Sequence, residues 1–246
     1  MEKLERAPNE SNRADNREPQ STVRRSLLVA VTTGVVAAAT SSAAAPAQKG
    51  STGSPSVGVK SSSTSPLVVS FAAGATGRWA IDRVSPVIGD GLASAARLDV
   101  IEGRDTLGDP VNVWTLRGTT SNSRYTTHAE KQAMAARQEG LGRPTATRAA
   151  LIPVRKSDAW WSLSQDERRA ILEEQSHHIA IGIEYLPAIS RRLHHSRELG
   201  EPFDFLTWFE YAPEHSADFA TLVDRLRASP EWRYVDREVD IRLSRT

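Results

Sequence analysis

Cysteine is absent from all 246 residues. That excludes disulfides, cysteine-ligated zinc, iron–sulfur clusters and thiol nucleophiles, and it leaves the redox compartment open. An excess of one charge is also lacking, since 31 Lys and Arg stand against 30 Asp and Glu. Without a basic stripe to face a phosphate backbone, nucleic acid is not an expected partner. Long apolar runs are missing too. LLVAVTTGVVAAA, Leu27 to Ala39, is too short for a bilayer and is diluted by Thr and Gly, so no membrane span is expected.

What is present begins with a leader-like order of features. A charged stretch rich in Asn, Glu and Arg ends at Arg24-Arg25, the mildly apolar run follows, and SSAAAPA from Ser41 to Ala47 supplies a small-residue cleavage context. STVRRSLLVA resembles a twin-arginine export signal, so residues 1–47 are expected to direct the chain to the periplasm. The competing readings are an ordinary secretory signal or a tail with a chance arginine pair. Residues 48–66 are Ser/Gly/Pro-rich and read as a linker, which places the start of the folded part near Leu67. The leader holds six basic and five acidic residues, so 31 − 6 and 30 − 5 leave 25 of each sign in the rest.

The remaining stretch is long enough for a sizeable core. Leu67–Ala72, Val111–Thr115 and Arg148–Val154 are β-rich runs, and Thr127–Arg137 is helical in composition. Ser164-Gln-Asp-Glu167 is a capping box with Leu163 as its staple, which predicts a helix over Gln165–Gln175. Pro213 opens another helix, with Phe219, Leu222, Val223 and Leu226 at i, i+3, i+4 and i+7. Ile189–His195, Phe203–Tyr211 and Val235–Leu243 read as strands. In the last, Val235, Val239, Ile241 and Leu243 share one face and Asp236, Glu238, Asp240 and Arg242 the other, the pattern of a sheet with one buried face. Helices interleaved with antiparallel-looking strands point to an α+β, ferredoxin-like arrangement. No internal sequence repeat is visible.

The chemistry-bearing residues are few. The six histidines include the pairs His177-His178 and His194-His195. His177 and His178 are expected at the end of a helix, where imidazolium suits the dipole, and none of the spacings is that of a zinc protease. In the strand from Ile189, Arg191 shares a face with Ile189, Leu193 and His195. An arginine on an apolar face is either ion-paired or set to receive an anion; periodicity alone favours the ion pair.

Several segments resemble the chlorite dismutase family: WWSLSQDERR, HHIAIGIEYLPAISRRLHHSRELG, FDFLTWFEYAP and ASPEWRYVDREVDIRL. The resemblance is dense from Trp160 onward. RWAIDRVSPVIGDGL extends it to the family's short, dimeric branch, whose first ferredoxin-like half is truncated. It implies a ferredoxin-like dimeric α/β-barrel with flanking helices, residues 67–155 forming the truncated first subdomain and 156–246 the haem-binding second. It further implies haem b as cofactor, chlorite as substrate, chloride and dioxygen as products, and a homodimer. His178 falls on the proximal iron ligand, Arg191 on the distal arginine, and Glu231 on the carboxylate bonded to the proximal imidazole. Asn122, Tyr125 and Trp160 match groups near the haem propionates, and Gln138 a glutamine that holds the distal arginine. A carboxylate on the imidazole fixes its tautomer and raises its basicity, while a guanidinium suits a small anion.

Three rivals remain. Coproheme decarboxylases resembling this fold carry a non-arginine residue at position 191. A non-catalytic haem-binding module has no obvious use for that arginine. Dye-decolorising peroxidases pair an Asp with theirs, and no matching motif is found.

Overall fold

The computed structural model describes residues 67–103, 110–120 and 124–245. The leader, the linker and Asn122 lie outside them. Eight strands are formed: β1 Val68–Gly74, β2 Trp79–Ile88, β3 Arg97–Glu102, β4 Asn112–Thr120, β5 Arg148–Lys156, β6 Ser190–His195, β7 Phe205–Tyr211 and β8 Val235–Ser244. Every pair is antiparallel, and the strands close into a barrel in the order β1-β3-β2-β8-β5-β7-β6-β4. Cut at its two seams, the barrel yields β4-β1-β3-β2 and β8-β5-β7-β6. Numbered within each half, both orders are 4-1-3-2. The chain is thus a structural duplication whose two sequences have lost visible similarity, and by strand order the second half starts at Arg148.

The halves differ in their helices. α2 (Asp158–Ser162), α3 (Gln165–Arg169) and α4 (His178–Glu184) lie between β5 and β6, and α5 (Ser216–Arg227) between β7 and β8. The second half is therefore βαββαβ. Among the described residues no helix lies between β1 and β4, and α1 (His128–Arg137) joins the two halves. The expected helix from Gln165 is there, but its second part, Ala170–Gln175, is wound as a π-helix. Its capping box is formed: Ser164 N–H donates to Glu167 Oε2 at 2.8 Å. Thr127 and Glu130 cap α1 in the same way.

Strand alternation builds two cores. Phe71, Trp79, Leu98, Leu151, Trp208 and Ile241 fill the barrel, while Ile152, Ile189, Phe209, Phe219, Leu222 and Val223 pack between its outer face and the helices. β5 serves both, Ala149 and Leu151 facing in and Ala150, Ile152 and Val154 facing out. The one-buried-face expectation for β8 needs correction. Glu238 and Asp240 are also buried, held by Arg227 at 2.6 and 3.0 Å, and Arg242 adds a further bond to Asp240 at 2.5 Å. Buried carboxylates persist because these guanidiniums match them. A register shift against β5 moves Val235 to the helix side, away from Val239, Ile241 and Leu243.

Candidate active site

A cavity of about 760 Å³ lies between the outer face of the second half's sheet and the helices. β5, β6 and β7 present Ile152, Val154, Arg191, Leu193, Thr207 and Phe209 to it; α1 adds Met134 and Gln138, α2 Trp160, and α4 His178. Leu193 is 39% exposed although its strand is paired on one side by β7, because its side chain faces this open volume.

His178 is the first residue of α4 rather than the last of the preceding helix. The chain breaks at His177, whose φ of 52° is left-handed. Histidine is among the non-glycine types enriched there, though the conformation still costs about 1 kcal/mol. Glu173, in the π-helical turn, caps the new helix by accepting from Ile179 N–H at 2.6 Å and Ala180 N–H at 3.1 Å. A carboxylate at that end also suits the helix dipole.

His178 Nδ1 lies 2.7 Å from Glu231 Oε2. Glu231 is 3% exposed, and its other oxygen accepts from Lys156 Nζ at 2.7 Å. Its main-chain N–H donates to Ser176 Oγ at 2.9 Å. Burial pushes the Glu231 carboxyl up, but Lys156 and a protonated His178 outweigh it and hold the group down at about 2, and Lys156 keeps pulling the same way when the imidazole is neutral. It is therefore a carboxylate, able to accept the Nδ1–H of a neutral imidazole and leave the Nε2 lone pair for a metal. Lys156 stands 4.8 and 5.3 Å above the rings of Trp160 and Trp232.

Lys156 escaped the sequence reading, yet its signal was available. It continues the outward face Ala150, Ile152, Val154, the same placement of a cation on an apolar stripe that singled out Arg191.

Arg191 sits opposite Phe209 on β7, and its guanidinium packs against α4 at Gly182. A Cβ at 182 would stand 1.7 Å from Nη1, so only glycine admits the arginine there. Nη2 is 3.7 Å from Met134 Sδ. Among the described residues no carboxylate is ion-paired to Arg191. Burial lowers its pKa to about 10, partly offset by Glu173, so it stays cationic at neutral pH. The ion-pair alternative gives way to a guanidinium free to meet an anion. Gln138 does reach Arg191, but its Nε2 donates to the main-chain oxygen at 2.9 Å and not to an atom of the guanidinium. It steadies the strand, because it caps the end of α1 with its side chain toward β6.

Tyr125 and Trp160 line the cavity with their rings edge to face at 6.1 Å. Trp160 is fully buried, and its Nε1 has no partner. Such a donor asks for an acceptor on a ligand. Trp161 instead bonds Asp204 Oδ2 at 3.2 Å and stacks on Phe205. Of the other histidines, His195 lines the cavity, while His215 pairs with Asp218 at 3.0 Å on the surface. A single imidazole with one nitrogen committed to a carboxylate, an unpaired indole N–H and a largely apolar volume fit a haem carboxylate-side and axial environment.

A family model described as chlorite dismutase matches residues 104–246. A curated chlorite dismutase from Ideonella dechloratans is 34% identical over 84 residues, a segment covering 34% of this chain and 27% of that protein. The chain thus matches little more than a quarter of that relative's length. Among solved structures, the dimeric chlorite dismutase from Nitrobacter winogradskyi is 56% identical with a TM-score of 0.68, covering 72% of this chain and 99% of that one. The enzyme from Candidatus Nitrospira defluvii in complex with imidazole is 22% identical, TM-score 0.52, over 72% and 91% of the two chains, a likeness of fold. With the family model matched over more than half of its length, this chain belongs to the chlorite dismutase family.

Proposed function

We propose that this protein is a haem b enzyme that converts chlorite to chloride and dioxygen. The observation that carries the reading is a pair of devices on one cavity: an imidazole backed by a carboxylate, and a guanidinium that no carboxylate among the described residues pairs. When bound, haem supplies the redox and oxygen-transfer chemistry, which is the cofactor's own. The chain's residues set its surroundings. Glu231 takes the Nδ1–H of His178, which would leave Nε2 as the atom that holds the iron. Lys156 offsets part of the Glu231 charge and moderates how strongly the imidazole is polarised. Trp160 Nε1 and Tyr125 would hold a haem propionate, with Asn122 as a further candidate. Arg191 attracts the oxyanion and retains anionic intermediates until dioxygen forms, an attraction strengthened by the surrounding apolar side chains.

Export to the periplasm by the twin-arginine route and assembly as a homodimer belong to the same proposal. The first is supported by Arg24-Arg25 and the run that follows, the second by the dimeric relative from Nitrobacter winogradskyi. Mass spectrometry of protein from the host should find cleavage near Ala44–Ala47, and light scattering should give a dimer. An intact leader in the cytoplasm, or a monomer, would overturn them.

The function is tested with an oxygen electrode on haem-loaded protein. Chlorite should release dioxygen. Arg191→Ala should fold and bind haem, still consume chlorite, and leak hypochlorite to a chlorination trap. If the wild type releases no dioxygen but decarboxylates coproheme with peroxide, the proposal fails. If Arg191→Ala unfolds, the arginine is structural.

A further inference from the structure

The helix that carries His178 has little packing to hold it. α4 runs for seven residues, and only Ile179 and Gly182 in it are buried. Two turns are marginal on their own, so the N–H groups of the first turn need partners. His177, in the position before the helix, gives none from its side chain. Glu173 supplies them from the turn before: Ile179 N–H and Ala180 N–H each donate to one of its carboxylate oxygens, at 2.6 and 3.1 Å.

A regular helix could not bring these groups together. Side chains on an α-helix lean back toward its N-terminus, so a residue at 173 would not reach N–H groups six and seven positions further on. The π-helical turn Ala170–Gln175 and the left-handed His177 break the axis and turn the carboxylate onto α4. Glu173 is also fixed on its own side of the break. Its carbonyl accepts from Ser176 N–H and from His177 N–H, the latter at 2.9 Å. One residue thus ends one helix with its main chain and starts the next with its side chain. The strained conformation of His177 lies directly beside the candidate iron ligand, and such strain persists only where the surrounding contacts hold it.

The direction of His178 Nε2 depends on two anchors. Glu231 holds the ring at Nδ1, 2.7 Å away. The other anchor is the backbone from which the ring hangs, and His178 is the first residue of the turn that Glu173 holds. Ser176 ties the two anchors together, because its hydroxyl accepts from Glu231 N–H at 2.9 Å from within the same break. Displacing either anchor swings Nε2, and a metal ligand loses affinity when the groups that orient it move.

We propose that Glu173 is the positioning residue of the proximal histidine: by holding the first turn of α4 it sets the tilt of the His178 ring toward a bound haem iron. It acts through the backbone of residues 178–180 and is not part of the cavity lining. The inference rests on the haem reading above and deepens it.

The test is resonance Raman spectroscopy of the ferrous, haem-loaded protein at the iron–histidine stretching band, together with haem transfer to excess apomyoglobin. Glu173→Ala should shift or broaden the band and speed haem loss about tenfold, the factor expected when a helix cap is removed. Glu173→Asp keeps the charge but shortens the reach by one methylene, and should displace the band as well. Glu173→Gln keeps an oxygen that accepts, so the band should stay in place and haem loss remain within about threefold of wild type. If Glu173→Ala fails to fold, the Asp and Gln variants decide by the same readouts. A wild-type band and wild-type haem loss in Glu173→Ala, or in Glu173→Asp where the alanine variant does not fold, would overturn the proposal. That holds even with a lowered urea midpoint, since Glu173 would then only stabilise the helix. A band displaced by Gln and not by Asp would overturn it too, because charge rather than reach would be acting. Absence of any iron–histidine band in the wild type would sink the haem reading and the proposal with it, whereas a normal wild-type band beside unmoved variants sinks the proposal alone.

Discussion

The two halves of the barrel share a strand order and almost nothing else. The first contributes β1 to β4 without an intervening helix among the described residues, and its outer face meets solvent at β4, where Val113 is 52% exposed. The second carries four helices on that face, and the 760 Å³ cavity lies beneath them. The barrel's closure needs only strands, since β2 and β8 pair over most of their length across one seam. The site needs the helices. His178, Trp160 and Glu231 all come from segments that have no counterpart among the described residues between β1 and β4. At the other seam, among the described residues, β4 and β6 align at Thr119 with His195 and Thr120 with His194, and ion pairs Arg117–Glu201 and Arg124–Glu198 cross there.

If function is confined to the second half, the sharpest break comes from its helix layer. His178→Ala should abolish stable haem binding, read as loss of the Soret band after haem titration and desalting. A variant that keeps full haem would remove the proximal assignment. Glu231→Gln comes next. It leaves Lys156 buried with its charge unmatched, which should cost about 3–5 kcal/mol in urea denaturation. Adding Lys156→Met to it should recover most of that loss, whereas additive losses would mean that the pair is not coupled.

How much of this was legible in the sequence depended on periodicity. β5, the helix from Gln165 and α5 announced themselves through apolar spacing and caps. β2 and β3 did not, because their residues are half-buried and mixed, with Pro86 inside β2. α4 was hidden by the π-helical turn and the left-handed His177, which put His178 at a helix start where its sequence suggested an end. The site residues came mainly through the family resemblance. Spacing alone left Arg191 between an ion pair and an anion site, and that choice depends on which carboxylates fold near it. Lys156 was readable by the same stripe argument and was missed. The two ferredoxin-like halves came only through the family resemblance, since no internal sequence repeat announces the shared strand order.

The interior shared by both halves gives a smaller and pH-dependent effect. His194 titrates near 6.5 in an unfolded chain and near 4 in the fold, where burial disfavours its charge. Between those values the unfolded chain binds a proton that the folded protein does not, so stability falls as pH drops through that window and returns as it rises. The full loss is on the order of 3 kcal/mol. His194→Phe should flatten the difference between stability at pH 7 and pH 4 by that amount. An unchanged slope would mean that His194 is not neutral and buried.

The smallest effect is expected on the bare half. Val113 lies on β4 with half its surface open, and the core cluster inside the barrel does not include it. Val113→Thr keeps the branched shape that suits a strand and adds a hydroxyl that water can satisfy. Surface substitutions of this kind usually stay within about 0.5 kcal/mol. The urea midpoint should therefore barely move, with an unchanged slope. A loss of 2 kcal/mol or more would mean that this face is covered in solution. The contrast between a working half and a bare one would then hold for the single chain but not for its assembly. Repeating the measurement over a hundredfold range of protein concentration separates the cases, because only a face buried between copies makes the loss depend on concentration.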